Sequence, residues 1–483
     1  MQLLSLIIIT LFIRFMYTFH HHRILTQDRR LNISQARTAC DPNEYILWYN
    51  TIVPDNFPLP LSEDLSAYLY APDCASRYAT ADTWFVSWAN DDLLYSAFTD
   101  GMVDDTTSSS GATYPNSNTT TGHAIIMGSN PLNLTIISPG IFESNTGPYT
   151  GRYPSGNLHY NGIWYQSTYG LSDNDAPCRN WCVQGPLISF RYSVDHGTSW
   201  YDYNLYPKND TDNLFNQSSY NKQKIKYGAL HFVDFGKNQQ WSPDGYVYLI
   251  GHGSNSSFPA SSNTSFPIES WNEGDQIYLC RVRSSIQTMN DINKFEFWNG
   301  IKYVHGKDGV DKAQPLFTFP NKTGTVTASY IPALEKYLMV ISTATYPGVG
   351  SMVQEFDVYI LESNHIEGPW SLVEYLNKFG PEAYFPIIPT KFIGQTHDIK
   401  VLPDGSSLWP FYLGYSANCA CCKPNPPHSG YGFCLLSSKL VLTPKFTNRL
   451  IQKRLIQPPT FIHKCYRRCL QIFSFMSFVF SFL

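Results

Sequence analysis

The chain alternates short runs of apolar and aromatic residues with polar, turn-forming clusters. The clearest case spans residues 82–100, where the segments 83–88 and 93–98 flank Asn90-Asp91-Asp92. Both segments are rich in aromatic and strand-forming residues, and such segments on either side of a short polar turn are typical of a β-hairpin. We therefore predict an antiparallel pair of strands with its turn centred on Asp91.

Four later segments repeat this arrangement, each with a turn signal followed by a strand-like run. The signals are Asn161-Gly162, Asp244-Gly245, Leu334-Glu335-Lys336 and Asp404-Gly405. Asn-Gly is the strongest short-range hairpin signal, and the first strand of each hairpin is expected to line a central channel. The five units predict an all-β fold, a five-bladed β-propeller with one sheet per unit. A single β-sandwich with insertions is the alternative.

A second motif favours the propeller. Residues 193–200, Ser-Val-Asp-His-Gly-Thr-Ser-Trp, resemble the Asp-box of sialidases, with Ser199 where threonine is usual. In those families the box is a structural turn on the outside of a blade. We predict that Asp195 accepts hydrogen bonds from backbone N–H groups, as aspartate does in turns, and that it has no catalytic role.

Composition narrows the function. Only 15% of the 483 residues are charged, the net charge is −4, and no basic stripe is visible in the body of the chain. Nucleic acid is therefore not expected as a partner. The sequence contains no HExxH zinc motif, no Gly-x-Ser-x-Gly nucleophile motif and no phosphate loop, so no cofactor is predicted. We expect a monomer.

The two ends of the chain bear on its location. Residues 1–26 contain an apolar run from Leu3 to Phe12 that resembles a signal peptide, with an uncleaved anchor as the alternative. Residues 40–445 form the predicted propeller, and residues 446–483 form a basic and then apolar tail of uncertain status. We expect an extracellular protein that contacts a membrane only if a terminal apolar segment is retained.

Sequons and cysteines also indicate secretion. Eight Asn-x-Ser/Thr sequons support a glycosylated protein; they begin at Asn32, Asn118, Asn133, Asn209, Asn216, Asn255, Asn263 and Asn321. Most of the 11 cysteines should be paired in an oxidising compartment, and Cys178 and Cys182 could close a small loop. For the cluster Cys419, Cys421, Cys422 and Cys434 we favour disulfides that hold a loop over a metal site, because the spacing differs from that of zinc sites.

An aspartate stands at each open end of the first hairpin. With the turn centred on Asp91, Asp82 lies opposite Asp100, and directly opposed residues have Cβ atoms roughly 4.5–5.5 Å apart. Two carboxylates so close resist joint ionisation, so one pKa should rise. Paired carboxylates cleave glycosidic bonds, and we predict that Asp82 and Asp100 are a catalytic pair. The alternative is that Asp82 caps a strand and Asp100 begins a turn with Gly101.

The roles of the two acids stay open at this point. One would be the general acid and the other the nucleophile or base. Direct opposition would favour retention of stereochemistry, since the carboxyl groups of retaining enzymes lie roughly 5–5.5 Å apart. Other polar and aromatic residues near the hairpins are candidates for substrate binding, although each has an ordinary core or turn role as its alternative. They are Trp84, Trp164, Asp234, His252, Asp275 and Lys391.

Taken in order, several loose motifs resemble the secreted propellers of the domain-of-unknown-function 4185 family. They are Asp82-Thr83-Trp84, Asp244-Gly245-Tyr246-Val247-Tyr248, residues 275–282, Gly368-Pro369-Trp370 and Pro389-Thr390-Lys391-Phe392. That family includes endo-D-arabinanases, and its wider relatives are five-bladed arabinanase and fructosidase propellers. The resemblance implies a secreted glycoside hydrolase, with a polysaccharide or glycan as substrate and a site on the propeller axis. A non-catalytic glycan-binding or adhesion propeller is the alternative.

Overall fold

The computed structural model describes most of the chain between residues 44 and 456, with gaps. The described residues are 44–48, 52–110, 121–142, 149, 151–172, 182–201, 213–217, 225–254, 270–344, 356–379, 383–417 and 430–456. They contain five β-sheets, which we call blades 1 to 5 in the order of their innermost strands. No helix within these ranges is long and apolar enough to cross a membrane.

The chain enters at the outer side of the last blade and then builds blade 1. The entering strands are β1 (Ile46–Leu47) and β2 (Leu65–Tyr78). Blade 1 consists of β3 (Thr80–Asp82), β4 (Ser87–Trp88), β5 (Leu94–Val103), β6 (Thr106–Ser108), β7 (Thr121–Met127), β8 (Thr135–Ile137) and β9 (Ile141–Phe142). Its inner strand is divided into β3 and β4, and β5 pairs with both parts.

Blades 2 and 3 follow the same plan, with the first strand innermost. Blade 2 contains β10 (Gly151–Tyr160), β11 (Ile163–Ser172), β12 (Cys182–Gly185) and β13 (Arg191–Ser193). Blade 3 contains β14 (His231–Phe232), β15 (Val247–Gly253), β16 (Gly274–Val282), β17 (Glu296–Trp298), β18 (Tyr303–His305), helix α1 (Gly306–Lys312) and β19 (Phe317–Thr323). Short 3-10 helices at Lys237–Gln239 and Ile292–Lys294 connect strands of blade 3.

Blades 4 and 5 complete the ring. Blade 4 contains β20 (Val326–Ile331), β21 (Lys336–Ala344), β22 (Phe356–Ser363) and β23 (Ser371–Leu376). Blade 5 contains β24 (Ala383–Ile387), β25 (Lys400–Val401), β26 (Ser407–Ala417) and β27 (Phe433–Leu442), and two 3-10 helices, Thr390–Phe392 and Thr396–Asp398, lie between β24 and β25. Because β2 pairs with β27, blade 5 is built from both ends of the propeller.

The inner strands form a closed ring around one axis, and hydrogen bonds join each to the next. The Asn157 amide of blade 2 donates to the Phe85 carbonyl of blade 1 at 2.8 Å, and the Gly156 N–H donates to Leu230 beside β14 at 2.8 Å. Between blades 3 and 4, Asp234 and Ser329 form a parallel bridge. The Ser329 hydroxyl donates to the Ile388 carbonyl of blade 5 at 2.7 Å. The fold is therefore an all-β, five-bladed propeller, as predicted.

Each predicted turn lies in a different blade. Asn161 and Gly162 have φ values of 51° and 79° and join β10 to β11, as a type I′ hairpin requires. The fifth turn differs from the prediction, because Asp404-Gly405 joins β25 to β26 while the inner strand is β24, about twenty residues earlier. The two 3-10 helices after β24 displace that turn from the axis.

Helix α2 (Pro444–Ile456) extends the packed unit beyond the predicted boundary at residue 445. Proline is favoured at a first helical position, and the Thr443 hydroxyl accepts a hydrogen bond from the Phe446 N–H at 3.4 Å. Phe446 and Leu450 are buried in the core shared by blades 4 and 5. The residues after 456 lie outside the described ranges.

The Asp-box forms the structural turn that was predicted. The Asp195 carboxylate accepts hydrogen bonds from the Ser199 N–H at 2.8 Å, the Ser199 hydroxyl at 2.6 Å and the Ser193 hydroxyl at 2.8 Å. These donors lower the pKa of Asp195 to about 2. Asp195 therefore stabilises the turn that follows β13.

One member of the predicted cysteine cluster is not in a disulfide. Cys434 is a free, buried thiol in β27, and it donates to the Gly430 carbonyl at 3.3 Å. Cys434 lies in a central strand of blade 5, and not in the loop that we expected disulfides to hold. Cys178 and the other three cysteines of the cluster lie outside the described residues.

Candidate functional site

The two ends of the propeller axis carry different groups. Asp82, Tyr153 and Tyr384 lie near the beginnings of the inner strands of blades 1, 2 and 5, and we call this end the site face. The hairpin turns follow the inner strands, so the turns at Asp91 and Asn161 lie at the opposite end, the turn face. The predicted site residues divide between these two ends.

Asp82 and Asp100 lie on neighbouring strands of blade 1, but not in the predicted register. Ser87 pairs with Tyr95 and Thr80 with Met102, as a turn centred on Asp91 requires. Between these points the register shifts by one residue, so that Asp82 pairs with Thr99. The expectation of direct opposition was therefore wrong by one residue, because Asp100 is the additional residue of a local bulge.

The backbone at this bulge is unusual. Asp100 has a φ of 51°, and Thr83, directly after Asp82, has a φ of 63°. A positive φ is tolerated by aspartate but is a clear outlier for a β-branched residue. A Cβ atom at Gly101 would lie 1.7 Å from the Thr80 carbonyl oxygen, so only glycine allows the two strands to approach here. Such conformations often occur at functional sites.

The carboxyl group of Asp82 is enclosed. Asp82 is only 7% exposed. The Thr83 hydroxyl donates to its Oδ1 at 2.8 Å, and the Tyr384 hydroxyl donates to its Oδ2. Burial, and then the charge of Asp100, raise the pKa of Asp82 from 3.8 to about 8. The predicted interaction between the two acids is therefore present, and Asp82 carries the raised pKa.

The Asp100 carboxylate is held by Ser110. Ser110 donates to its carboxylate twice, from the N–H at 2.7 Å and from the hydroxyl at 2.8 Å. Tyr431 donates to its carbonyl oxygen and also interacts with the Asp82 carboxyl. Asp100 lies within β5 and does not begin a turn with Gly101, whereas Asp82 is the last residue of β3.

Four tyrosines surround the acid pair, and none was selected from the sequence. They are Tyr153, Tyr169, Tyr384 and Tyr431. Burial, together with the charges of both aspartates, raises the pKa of Tyr153, Tyr169 and Tyr431. The sequence did contain a pattern that could have identified Tyr153. It stands eight residues before the Asn161 turn, and Asp82 stands nine before Asp91, so aligning the hairpins would have placed the two together.

The two tryptophans predicted to stack on sugars are core residues instead. Trp84 is fully buried between Phe98 and Phe433, and its indole N–H donates to the Ala81 carbonyl at 2.7 Å. Trp164 is also fully buried, and its N–H donates to the Asn157 side chain at 2.7 Å. Packing against neighbouring strands leaves neither ring a face for a ligand. A partly buried tryptophan, Trp271, packs beside Tyr384 with ring centroids 5.1 Å apart.

Asp234 and Lys391 lie away from the acid pair. Asp234 accepts hydrogen bonds from the Thr390 N–H at 2.9 Å and the Thr390 hydroxyl at 2.7 Å, so it ties blade 3 to blade 5; burial raises its pKa. Lys391 contacts the Asp92 carbonyl on the turn face, and its ammonium lies 3.8 Å from the Asp92 carboxylate. The structure does not bring either residue to Asp82.

His252 and Asp275 lie on β15 and β16 of blade 3. His252 is fully buried and bonded to the Ser270 carbonyl at 2.8 Å, and burial lowers its pKa to about 4. Asp275 is buried and accepts a hydrogen bond from the Asn321 N–H at 2.9 Å. Both have structural partners, and no observation connects them to the acid pair.

Aromatic rings occupy the axis below the acid pair. The Phe85 and His231 rings stack at 3.5 Å between centroids, and Phe85 meets Phe385 edge-on at 5.2 Å. A cavity of about 30 Å³ extends from Phe85 and His231 to Asp234 and Pro389. Within the described residues, no group of three or more histidine, cysteine or acidic side chains could hold a metal ion.

The two carboxyl groups are arranged for acid–base chemistry. A protonated carboxylic acid in an apolar, tyrosine-lined setting can donate a proton, while a carboxylate that accepts two hydrogen bonds can act as a base or nucleophile. The two functions lie together at one end of the propeller axis, where ligands of closed β-folds commonly bind.

Comparisons with known proteins give only low similarities. No protein-family model matches the chain, and no curated protein does. Among solved structures, a glycosyl hydrolase from Bacteroides ovatus is 11% identical, with a TM-score of 0.35 over 80% of this chain and 93% of that chain. A GH43_1 enzyme from Xanthomonas citri is 9% identical, with a TM-score of 0.36 over 75% and 87%.

A third similar structure is an N-acetylgalactosamine deacetylase from F. plautii in complex with blood group B trisaccharide. It is 10% identical, with a TM-score of 0.36 over 82% of this chain and 95% of that chain. The chain thus has a distant structural similarity to glycoside hydrolases and other carbohydrate-active enzymes. The propeller assignment itself rests on the five sheets described above.

Proposed function

We propose that this chain is a glycoside hydrolase in which Asp82 and Asp100 cleave a glycosidic bond on the site face of the propeller. The observation that carries the proposal is the raised pKa of Asp82 beside a second, hydrogen-bonded carboxylate. Neighbouring acids whose environments push their pKa values apart are characteristic of acid–base catalysis.

The geometry supports a distinct role for each acid. Asp82 is protonated at neutral pH, so it is the proton donor to the departing glycosidic oxygen. Asp100 accepts two hydrogen bonds from Ser110, an arrangement that suits an ionised carboxylate, so it is the base or nucleophile. The register shift between the strands removes the basis for the earlier expectation of a retaining outcome.

We propose a substrate class from the resemblance in the sequence, which by itself does not specify the sugar. The ordered motifs of the domain-of-unknown-function 4185 propellers favour arabinan or a related neutral polysaccharide, as in the endo-D-arabinanases of that family. The low exposure of Asp82 favours a second candidate, a propeller that binds a glycan without cleaving it. In that case the tyrosine hydroxyls would contact the sugar and the acid pair would not react.

We also propose that the protein is secreted and glycosylated. The three sequon asparagines that fall within the described ranges, Asn133, Asn216 and Asn321, are all exposed. Cys74 and Cys182 are each in a disulfide bond, which suits an oxidising compartment. Secretion into the medium and a mass loss after enzymatic removal of N-glycans would test this location.

The function is tested by incubating the purified protein with arabinan, fructan, galactan and sialylated glycans and measuring released sugar. We expect release from one neutral polysaccharide and a loss of at least about 100-fold in Asp82→Asn and Asp100→Asn, since removing a positioned acid or base typically costs 10²–10⁴-fold. Release that persists in both variants would exclude these acids. Binding without release would favour the second candidate.

A further inference from the structure

Tyr169 differs from the other tyrosines around the acid pair. It lies on β11 directly opposite Tyr153, with ring centroids 5.7 Å apart, and its side chain is fully buried. Its hydroxyl has no hydrogen-bond partner among the residues that the structure describes. Leaving a buried hydroxyl unsatisfied destabilises a folded protein, so this group requires an explanation.

The neighbouring hydroxyls all have partners. Tyr384 donates to the Asp82 carboxyl, Tyr431 donates to the Asp100 carbonyl, and Tyr153 is bonded to Ser110. Ser110 in turn holds the Asp100 carboxylate. Tyr153 therefore connects to the acid pair through Ser110, and Tyr169, which stands across the strand pair from Tyr153, faces the same region without a bond of its own.

The electrostatic setting determines what Tyr169 can do. Burial and the charges of Asp82 and Asp100 raise its pKa well above the ordinary value. Its hydroxyl therefore stays protonated at physiological pH, which is the state in which it donates a hydrogen bond. Its hydroxyl is a hydrogen-bond donor beside the acid pair, where the charge of Asp100 favours an uncharged acceptor over an anionic one.

We propose that the Tyr169 hydroxyl donates a hydrogen bond to an oxygen atom of a neutral glycan bound beside Asp82 and Asp100. This inference rests on the proposed function and adds a residue and a charge preference to it. Tyr169 is thus satisfied only in the complex. An anionic sugar is disfavoured because its charge would meet the ionised carboxylate of Asp100.

The experiment separates ligand binding from stability. Tyr169→Phe removes the hydroxyl, and Tyr359→Phe is the matched control, because Tyr359 in β22 of blade 4 is also buried with an unpartnered hydroxyl within the described ranges. Both full-length variants and the wild type are titrated calorimetrically with arabinotriose, fructotriose and galactotriose. Their melting temperatures are measured without sugar.

We expect Tyr169→Phe to bind the trisaccharide that the wild type prefers about tenfold more weakly, as the loss of one hydrogen bond predicts, and Tyr359→Phe to bind it like the wild type. Neither variant should melt below the wild type, since each loses an unsatisfied hydroxyl.

Wild-type affinity in Tyr169→Phe would overturn the inference alone. So would a melting temperature lowered in this variant and not in the control, because the hydroxyl would then support the fold. If the wild type bound none of the three sugars, the proposed function would fail and the inference with it.

Discussion

Asparagine at position 82 imitates the protonated form of Asp82, so the substitution Asp82→Asn isolates the effect of its ionisation. The amide keeps an oxygen acceptor for one of the hydroxyls of Thr83 and Tyr384, and the other hydroxyl can rotate. The folded chain holds a proton on Asp82 up to about pH 8, whereas the unfolded chain releases it near pH 3.8. The wild type should therefore lose stability as the pH rises through this interval and lose no more above it.

The magnitude follows from the two pKa values. Each pKa unit corresponds to about 1.4 kcal/mol, so a rise from 3.8 to about 8 makes ionised Asp82 unfavourable in the folded chain by up to about 6 kcal/mol. Most of this lies between pH 5 and pH 9. We expect the free energy of unfolding of Asp82→Asn, relative to the wild type, to increase by about 4 kcal/mol over that range.

Urea unfolding followed by tryptophan fluorescence at pH 5, 7 and 9 measures this difference. Asp195→Asn is the control, because the pKa of Asp195 lies at about 2 and its ionisation is complete throughout the range. The difference between the control and the wild type should therefore not change with pH. A difference for Asp82→Asn that is also independent of pH, or a variant less stable than the wild type at pH 9, would refute the reasoning.

Three further predictions concern groups around the ring. Tyr384→Phe removes a donor that favours ionised Asp82, so the pKa of Asp82 should rise further and the basic limb of the pH profile of kcat/KM should move to higher pH. Asp234→Ala should lower the free energy of unfolding by about 2–4 kcal/mol, because buried donors on Thr390 lose their acceptor; urea midpoints check this, and sugar release per folded molecule should be unchanged. Lys336→Ala should cost about 3–5 kcal/mol by the same assay, because it leaves the largely buried Glu362 carboxylate, 2.7 Å from the ammonium, without its cation, whereas Asp64 keeps Arg449.

The sequence predicted the parts of the fold that depend on local chemistry. Asn161-Gly162 requires positive φ values that define a tight hairpin, and the Asp-box required Asp195 to accept from its own turn. The pairing of Ser87 with Tyr95 follows directly from the position of the first turn. The repetition of such units was sufficient to indicate five blades.

The site was less predictable because it depends on one-residue irregularities and on ring closure. The bulge at Asp100 moved Asp82 opposite Thr99, and no local signal separates a regular hairpin from one with an additional residue. Tyr384 meets Asp82 across 302 residues of sequence, a contact made only when blade 5 closes the ring. Trp84 and Trp164 were misassigned for a related reason, since neighbouring strands cover both rings.

The central claim, that Asp82 donates the proton in glycoside cleavage, is tested most directly by changing the leaving group. The measurement compares kcat for Asp82→Asn on the natural glycan and on the nitrophenyl glycoside of the sugar that the wild type releases. Nitrophenolate departs without protonation, so we predict a loss of at least about 100-fold on the glycan and a far smaller loss on the nitrophenyl glycoside. Equal losses on both substrates, or full activity on the glycan, would contradict the claim.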